Sequence, residues 1–145
     1  MPLTGVSPIF HYSLFTIHFV NNMNITLANC DKTRQIRQSV VKKFQEITAP
    51  DSNITWTGSK VDLAEMIHIV YLYGELYNPN GRLLSFPDIC RMATERLHVT
   101  FGNNVHSLIR HAERRKGFRE ATLMSRLEHA ATPDHVWREL IAPAV

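Results

Sequence analysis

A helix drawn through residues 102–116, GNNVHSLIRHAERRK, has two faces that demand different surroundings. At about 100° per residue, Val105, Leu108, Ile109 and Ala112 fall on one narrow apolar stripe. Asn103, Ser107, Arg110 and Arg114 fall on the opposite stripe, with His106 beside them. One face is therefore buried on a neighbouring element while the other offers amides, a hydroxyl and guanidinium groups to a partner. From His98 to Arg119 there are five basic residues and one acidic, a net of +4, against +3 for the whole chain. The remainder is nearly neutral, and the focused positive charge is the footprint of a nucleic-acid recognition helix.

The surrounding sequence supplies the elements such a helix needs. Ser59 with Asp62 resembles a capping box, Asp standing in for the usual Glu or Gln. Behind it Leu63, Met66, Ile67, Val70 and Gly74 make one helix face, widened by Ile69, Leu72 and Tyr73. This is the expected core helix. Asn78-Pro79-Asn80-Gly81 reverses the chain, and residues 82–85 form a short strand or an extended connector. Ser85 with Asp88 repeats the capping pattern and opens a second helix with Ile89, Met92, Ala93 and Leu97 inward. A short connection containing Gly102 then leads into the basic helix, which completes a helix-turn-helix pattern. The connection is longer than the tightest version, which favours looser or winged variants. Leu123, Leu127, Ala130 and Ala131 suggest a further helix. Thr132-Pro133-Asp134 starts a last one, with Val136, Trp137, Leu140 and Ile141 packing inward.

The N-terminal part reads differently. Residues 1–22 contain no Lys, Arg, Asp or Glu, and the apolar run 9–20 is too short to span a bilayer and is interrupted by His11 and His18. No basic start marks a signal peptide. These residues are expected to be a disordered or upstream extension, with an amphipathic basic helix following over residues 23–50. There Ile36, Val40, Val41, Phe44 and Ile47 keep helical spacing while Lys32, Arg34, Arg37, Lys42 and Lys43 lie mostly elsewhere. The turn-rich stretch 48–55 (TAPDSNIT) is the expected boundary before a domain at residues 56–145. The fold expected is thus mainly α-helical: a helix-turn-helix, open to a winged-helix form, with an N-terminal helical extension.

Composition bounds the chemistry. A hydrophobic fraction of 44% and a charged fraction of 20% are those of an ordinary globular protein. The pI of about 9.1 favours an anionic partner. Cys30 and Cys90 form no CxxC pair and no disulfide framework, which suits a reducing cytoplasm. There is no GxGxxG, Walker loop, HExxH or GxSxG, so an enzyme finds little support and no cofactor is expected. Of the eight histidines, His106 and His111 face different ways, and His129 and His135 straddle a helix break, so no metal site is expected. His68, inside the core helix, reads as a partly buried residue rather than a catalytic base.

Double-stranded DNA is the partner that this pattern fits, bound by a monomer or a homodimer. Arg110, Arg114, Arg115, Lys116 and Arg119 can neutralise phosphates and give salt-dependent affinity. Asn103, His106 and Ser107 stand at the start of the helix, the end that meets base edges in a helix-turn-helix. Asn pairs in two places with adenine and Arg with guanine. The rival reading is a protein-interaction or dimerisation module whose basic helix binds an acidic protein. An Arg-rich last turn also complements the helix dipole without any partner.

Trp56–Lys60, WTGSK, followed by VDLAEMIHIVY, resembles the opening of the C-terminal domain of the RteC family. The resemblance runs through the Asn80-Gly81 turn, FPDICRMATERLHVTFG, the basic RRK at residues 114–116 and LMSRL at residues 123–127, about half the chain. It implies a DNA-binding transcriptional regulator with a winged-helix-like domain, acting on excision or transfer genes of tetracycline-resistance conjugative transposons. It also implies that residues 86–97 brace the DNA backbone while residues 103–116 enter the major groove. Trp56 is expected to pack under the core, and Lys60 to touch phosphate. The family's larger helical N-terminal domain corresponds here to no more than residues 23–50. Around Val105 and His106 the family carries aromatic and Arg residues instead.

Overall fold

A computed structural model describes residues 14–102, 105–115 and 121–144, with side chains from Cys30 onward. Among them are six helices and a two-stranded sheet: α1 Leu14–Ile47, β1 Ile54–Trp56, α2 Lys60–Tyr73, α3 Phe86–Leu97, α4 Val105–Glu113, α5 Leu123–His129, α6 Pro133–Leu140 and β2 Ile141–Pro143. The protein is mainly α-helical, as its periodicity predicts. No helix among the described residues is long and apolar enough to cross a membrane.

The chain divides into two compact units, Met1–Arg34 and Gln35–Val145. In the first, α1 starts at Leu14, so residues 14–22, expected outside the folded part, are helical. Residues 1–13 of that expected extension lie outside the described residues. An exposed Arg34–Asp31 ion pair lies near the end of this unit.

In the second unit Val40, Phe44 and Ile47 recur at helical spacing and are buried, joining the single core cluster. The turn-rich stretch 48–55 is consequently no boundary, because residues on both sides of it share one core. Its backbone is sewn to the helix it follows. Thr48 donates from N–H and Oγ1 to the Phe44 carbonyl at 3.0 and 2.6 Å, and Ser52 Oγ donates to the Ile47 carbonyl at 2.7 Å. The compact unit therefore begins well before residue 56.

β1 pairs antiparallel with β2, Ile54 opposite Pro143, Thr55 opposite Ala142 and Trp56 opposite Ile141. This pairing ties the last residues of the chain to the segment entering α2. Of the two forms expected for residues 82–85, a short strand or an extended connector, the structure has the connector, with one isolated bridge between Tyr77 and Leu83. The reversal between them is held by Asn78, whose Oδ1 accepts the N–H groups of Asn80 and Arg82, with Gly81 at φ 80°.

The WTGSK segment is a structural junction. Trp56 is 4% exposed and its indole N–H donates to the Ser59 carbonyl at 2.9 Å. Thr57 and Gly58 both donate N–H to the Leu140 carbonyl, at 2.8 and 3.1 Å. A Cβ at residue 58 would run into the Leu140 side chain, so the close approach of the two segments requires glycine there. Ser59 caps α2 by accepting the Asp62 N–H at 3.1 Å, and Lys60 opens the helix.

α2 runs through the middle of the core, burying Leu63, Ala64, Met66, Ile67, Ile69 and Val70. Leu72 and Tyr73, expected on the same face, are 52% and 48% exposed. They lie in the last turn of α2, where Arg37 of α1 stands over the Tyr73 ring at 4.1 Å. α3 carries the full capping box at Ser85 and Asp88, with Pro87 in its first turn, and buries Ile89, Ala93 and Leu97. α5 buries Leu123 and Leu127, and α6 buries Val136, Trp137 and Leu140 behind Pro133. Ile141, expected inside the last helix, has already passed into β2.

Candidate nucleic-acid interface

α4 is docked by the stripe its sequence marks out. Ile109 and Ala112 are 7% and 2% exposed, Val105 and Leu108 are half-buried, and the helix lies against α2. The two helices run antiparallel. At one end Arg115 reaches Ser59 and Asp62 at the start of α2, and at the other His106 stacks on Phe86, which meets Tyr71 near the end of α2. Such an arrangement fixes which side of α4 faces outward.

Among the described residues of the connection from α3, two are left-handed. His98 closes α3 at φ 57°, and Gly102 follows at φ 69°. Glycine adopts this geometry without a Cβ clash, whereas at His98 it costs about 1–2 kcal/mol that the cap bond to the Thr94 carbonyl offsets.

His106, Ser107 and Arg110 of α4 and Arg114 just after it are exposed, as is the acidic Glu113. Arg115 is not among them. Its side chain is 9% exposed and its Nη1 donates to Asp62 Oδ1 at 2.5 Å, with Nη2 3.5 Å from Ser59 Oγ. A guanidinium committed to a buried carboxylate is unavailable to a phosphate, which corrects the expectation for Arg115. Lys60 is exposed at the start of α2, the end to which the Arg115 contact brings the last turn of α4. Asn103, Lys116 and Arg119 fall outside the described residues. Arg114 and Lys60 thus belong to one end of the α2–α4 pair, and His106 to the other.

Beneath this surface is a charged cluster that the sequence reading missed. Asp62, 5% exposed, accepts from Arg115 and also from Arg126 Nη2 of α5. Glu65, one turn further along α2, accepts the Leu123 N–H at 2.6 Å and so caps α5 from outside it. Burial pushes the Glu65 carboxyl above its ordinary 4.5, opposed by the N–H groups of Leu123 and Met124. Two carboxylates on α2 therefore organise the end of α4 and the start of α5. The signal was present: Asp62 shares a helical stripe with Met66 and Ile69, and an acid on an apolar stripe must find a cationic partner.

Two further titratable groups depart from their ordinary values. Burial raises the Cys90 thiol, making it less nucleophilic, and hydrogen bonds from Ser85 lower Asp88. Among the described residues no group of three His, Cys, Asp or Glu side chains is placed to hold a metal ion. No protein-family model matches the chain, and no curated protein or solved structure matches it.

Proposed function

We propose that the chain is a DNA-binding regulator of the RteC type that presents α4 to the major groove, with α3 bracing the backbone in a helix-turn-helix. The observation that carries this reading is the division of α4 itself. Ile109 and Ala112 anchor the helix on α2 while Arg110 and Arg114 stand exposed. Arg114 and Lys60 contact phosphates, and His106, Ser107 and Arg110 face base edges. Asn103, Lys116 and Arg119 flank α4 in sequence and belong to the same proposed contact set. The biological setting that goes with the reading is control of excision or transfer genes of a conjugative element.

Titration of duplex DNA at several salt concentrations tests it. Log affinity should fall linearly with log salt, and Arg114→Ala should reduce that slope by about 0.9. Absence of DNA binding at low salt, or an affinity indifferent to salt, defeats the reading.

One observation favours a protein partner instead. Tyr71, Leu72, Tyr77 and Leu83 are each about half exposed or more, a concentration of apolar side chains at the end of α2 and the reversal after it. In that reading the chain pairs with a second copy or an acidic protein. Light scattering across a concentration series, with Leu72→Ser and Leu83→Ser, distinguishes a dimer built on these residues from a monomer.

A further inference from the structure

A cleft of about 470 Å³ opens beside α4, between it and the helices α2 and α3. That volume lies within the roughly 300–1,000 Å³ of small-ligand sites. Its aromatic wall is preset. The Phe86 and His106 rings stack with centroids 5.2 Å apart and planes 25° apart, and Tyr71 meets Phe86 edge-on at 5.4 Å. His68 contributes a further ring from α2. Such a surface favours a planar ring over an aliphatic one of equal area.

The polar groups of the cleft are of opposite charge. Arg110 and Glu113 stand one helical turn apart on α4, and both line it. Pairs at this spacing commonly attract one another. Here neither side chain has a hydrogen bond or ion pair among the described residues. A purely anionic ligand would meet Glu113 unfavourably, and a purely cationic one Arg110. A ligand carrying both charges satisfies the two together.

We propose that this cleft binds a small aromatic zwitterion, a compound of the size and charge pattern of an aromatic amino acid. Its ring lies against Phe86 and His106, its carboxylate accepts from Arg110, and its ammonium donates to Glu113. The cleft does not require DNA binding. Where α4 also binds DNA, the ligand competes with it, because His106 and Arg110 serve both; that consequence alone rests on the DNA reading.

Calorimetric titration of the full chain with L-tryptophan, tryptamine and indole-3-propionate tests the proposal. L-Tryptophan should bind about tenfold or more tightly than either singly charged analogue. Arg110→Gln should weaken L-tryptophan and indole-3-propionate but spare tryptamine. Glu113→Gln should weaken L-tryptophan and tryptamine but spare indole-3-propionate. Both residues are exposed, so the variants keep the fold, and Arg138→Gln on the exposed side of α6 is the control without effect. Equal affinities for the three compounds, no saturable binding of L-tryptophan, or losses that do not follow ligand charge overturn the proposal. Because the titration uses free protein, its failure leaves the DNA reading to the salt titration. A failed DNA titration likewise leaves the cleft intact.

Discussion

Two Ser-x-x-Asp sequences start two helices of this protein, and their aspartates meet opposite fates. At Ser85 the box closes on itself: Ser85 Oγ accepts the Asp88 N–H, and Asp88 Oδ2 accepts the Ser85 N–H at 3.1 Å. At Ser59 only the first half forms, and the Asp62 carboxylate turns inward to hold Arg115 and Arg126. The serine does the same work in both, since the cap depends on atoms three residues away. The aspartate does not, because its partner is chosen by whatever packs across the helix. Behind Asp88 is solvent and a weak Arg91 contact at 3.3 Å; behind Asp62 are two other segments of the chain.

The comparison can be broken most severely at the acids. Asp62→Asn leaves two guanidinium groups facing a neutral amide in a buried site, and should lower unfolding stability by about 3–5 kcal/mol in urea titration. Asp88→Asn should lower the midpoint far less, since its carboxylate is exposed and an amide oxygen can still accept the Ser85 N–H. If the two variants unfold alike, the tertiary role of Asp62 is wrong. A smaller contrast is expected between adjacent arginines. Arg115→Ala should cost about 1–3 kcal/mol, since Arg126 still partners Asp62. Arg114→Ala should leave stability unchanged and alter only the salt dependence of DNA binding.

The serines should show no such contrast. Ser59→Ala and Ser85→Ala are each expected to cost about 1 kcal/mol, measured by thermal or urea unfolding. The smallest effect concerns pH. The raised Glu65 pKa means that the native state keeps that proton to higher pH than the unfolded chain does. Stability should therefore decline as pH rises from about 4.5 through the raised value. Glu65→Gln should flatten that decline in unfolding curves taken across the interval. Asp88 runs the other way: its lowered pKa contributes stability above its ordinary 3.8 that is lost as pH falls through the native value.

Much of the helical framework is legible in the residues. The apolar spacing that marks α4 also docks it, and Pro133 begins α6 as its position suggests. Trp56 packs under the core as expected. The candidate interface is legible only in part. A run of basic residues reads as one surface, yet Arg115 leaves it for Asp62, 53 residues away in sequence. Nor does any local pattern separate Leu72 and Tyr73 from the buried residues before them, because the apolar stripe continues past the point where its side chains are buried.

Local sequence alone placed the serine caps of α2 and α3 and the Pro133 start of α6, the reversal at Asn78, and the apolar stripe of α4. Each of these depends on groups within about four residues of one another, where backbone geometry leaves few alternatives. Tertiary structure alone decided that residues 54–56 pair with 141–143, that the core begins before the 48–55 turn, and that Asp62 joins α2 to Arg115 and Arg126. Those outcomes depend on which distant segment supplies the missing hydrogen bond, apolar cover or counter-charge. A carboxylate at the third position of a helix turns back to its cap when water surrounds it. It turns inward when two guanidinium groups are packed there, since a buried charge is stable only beside its opposite.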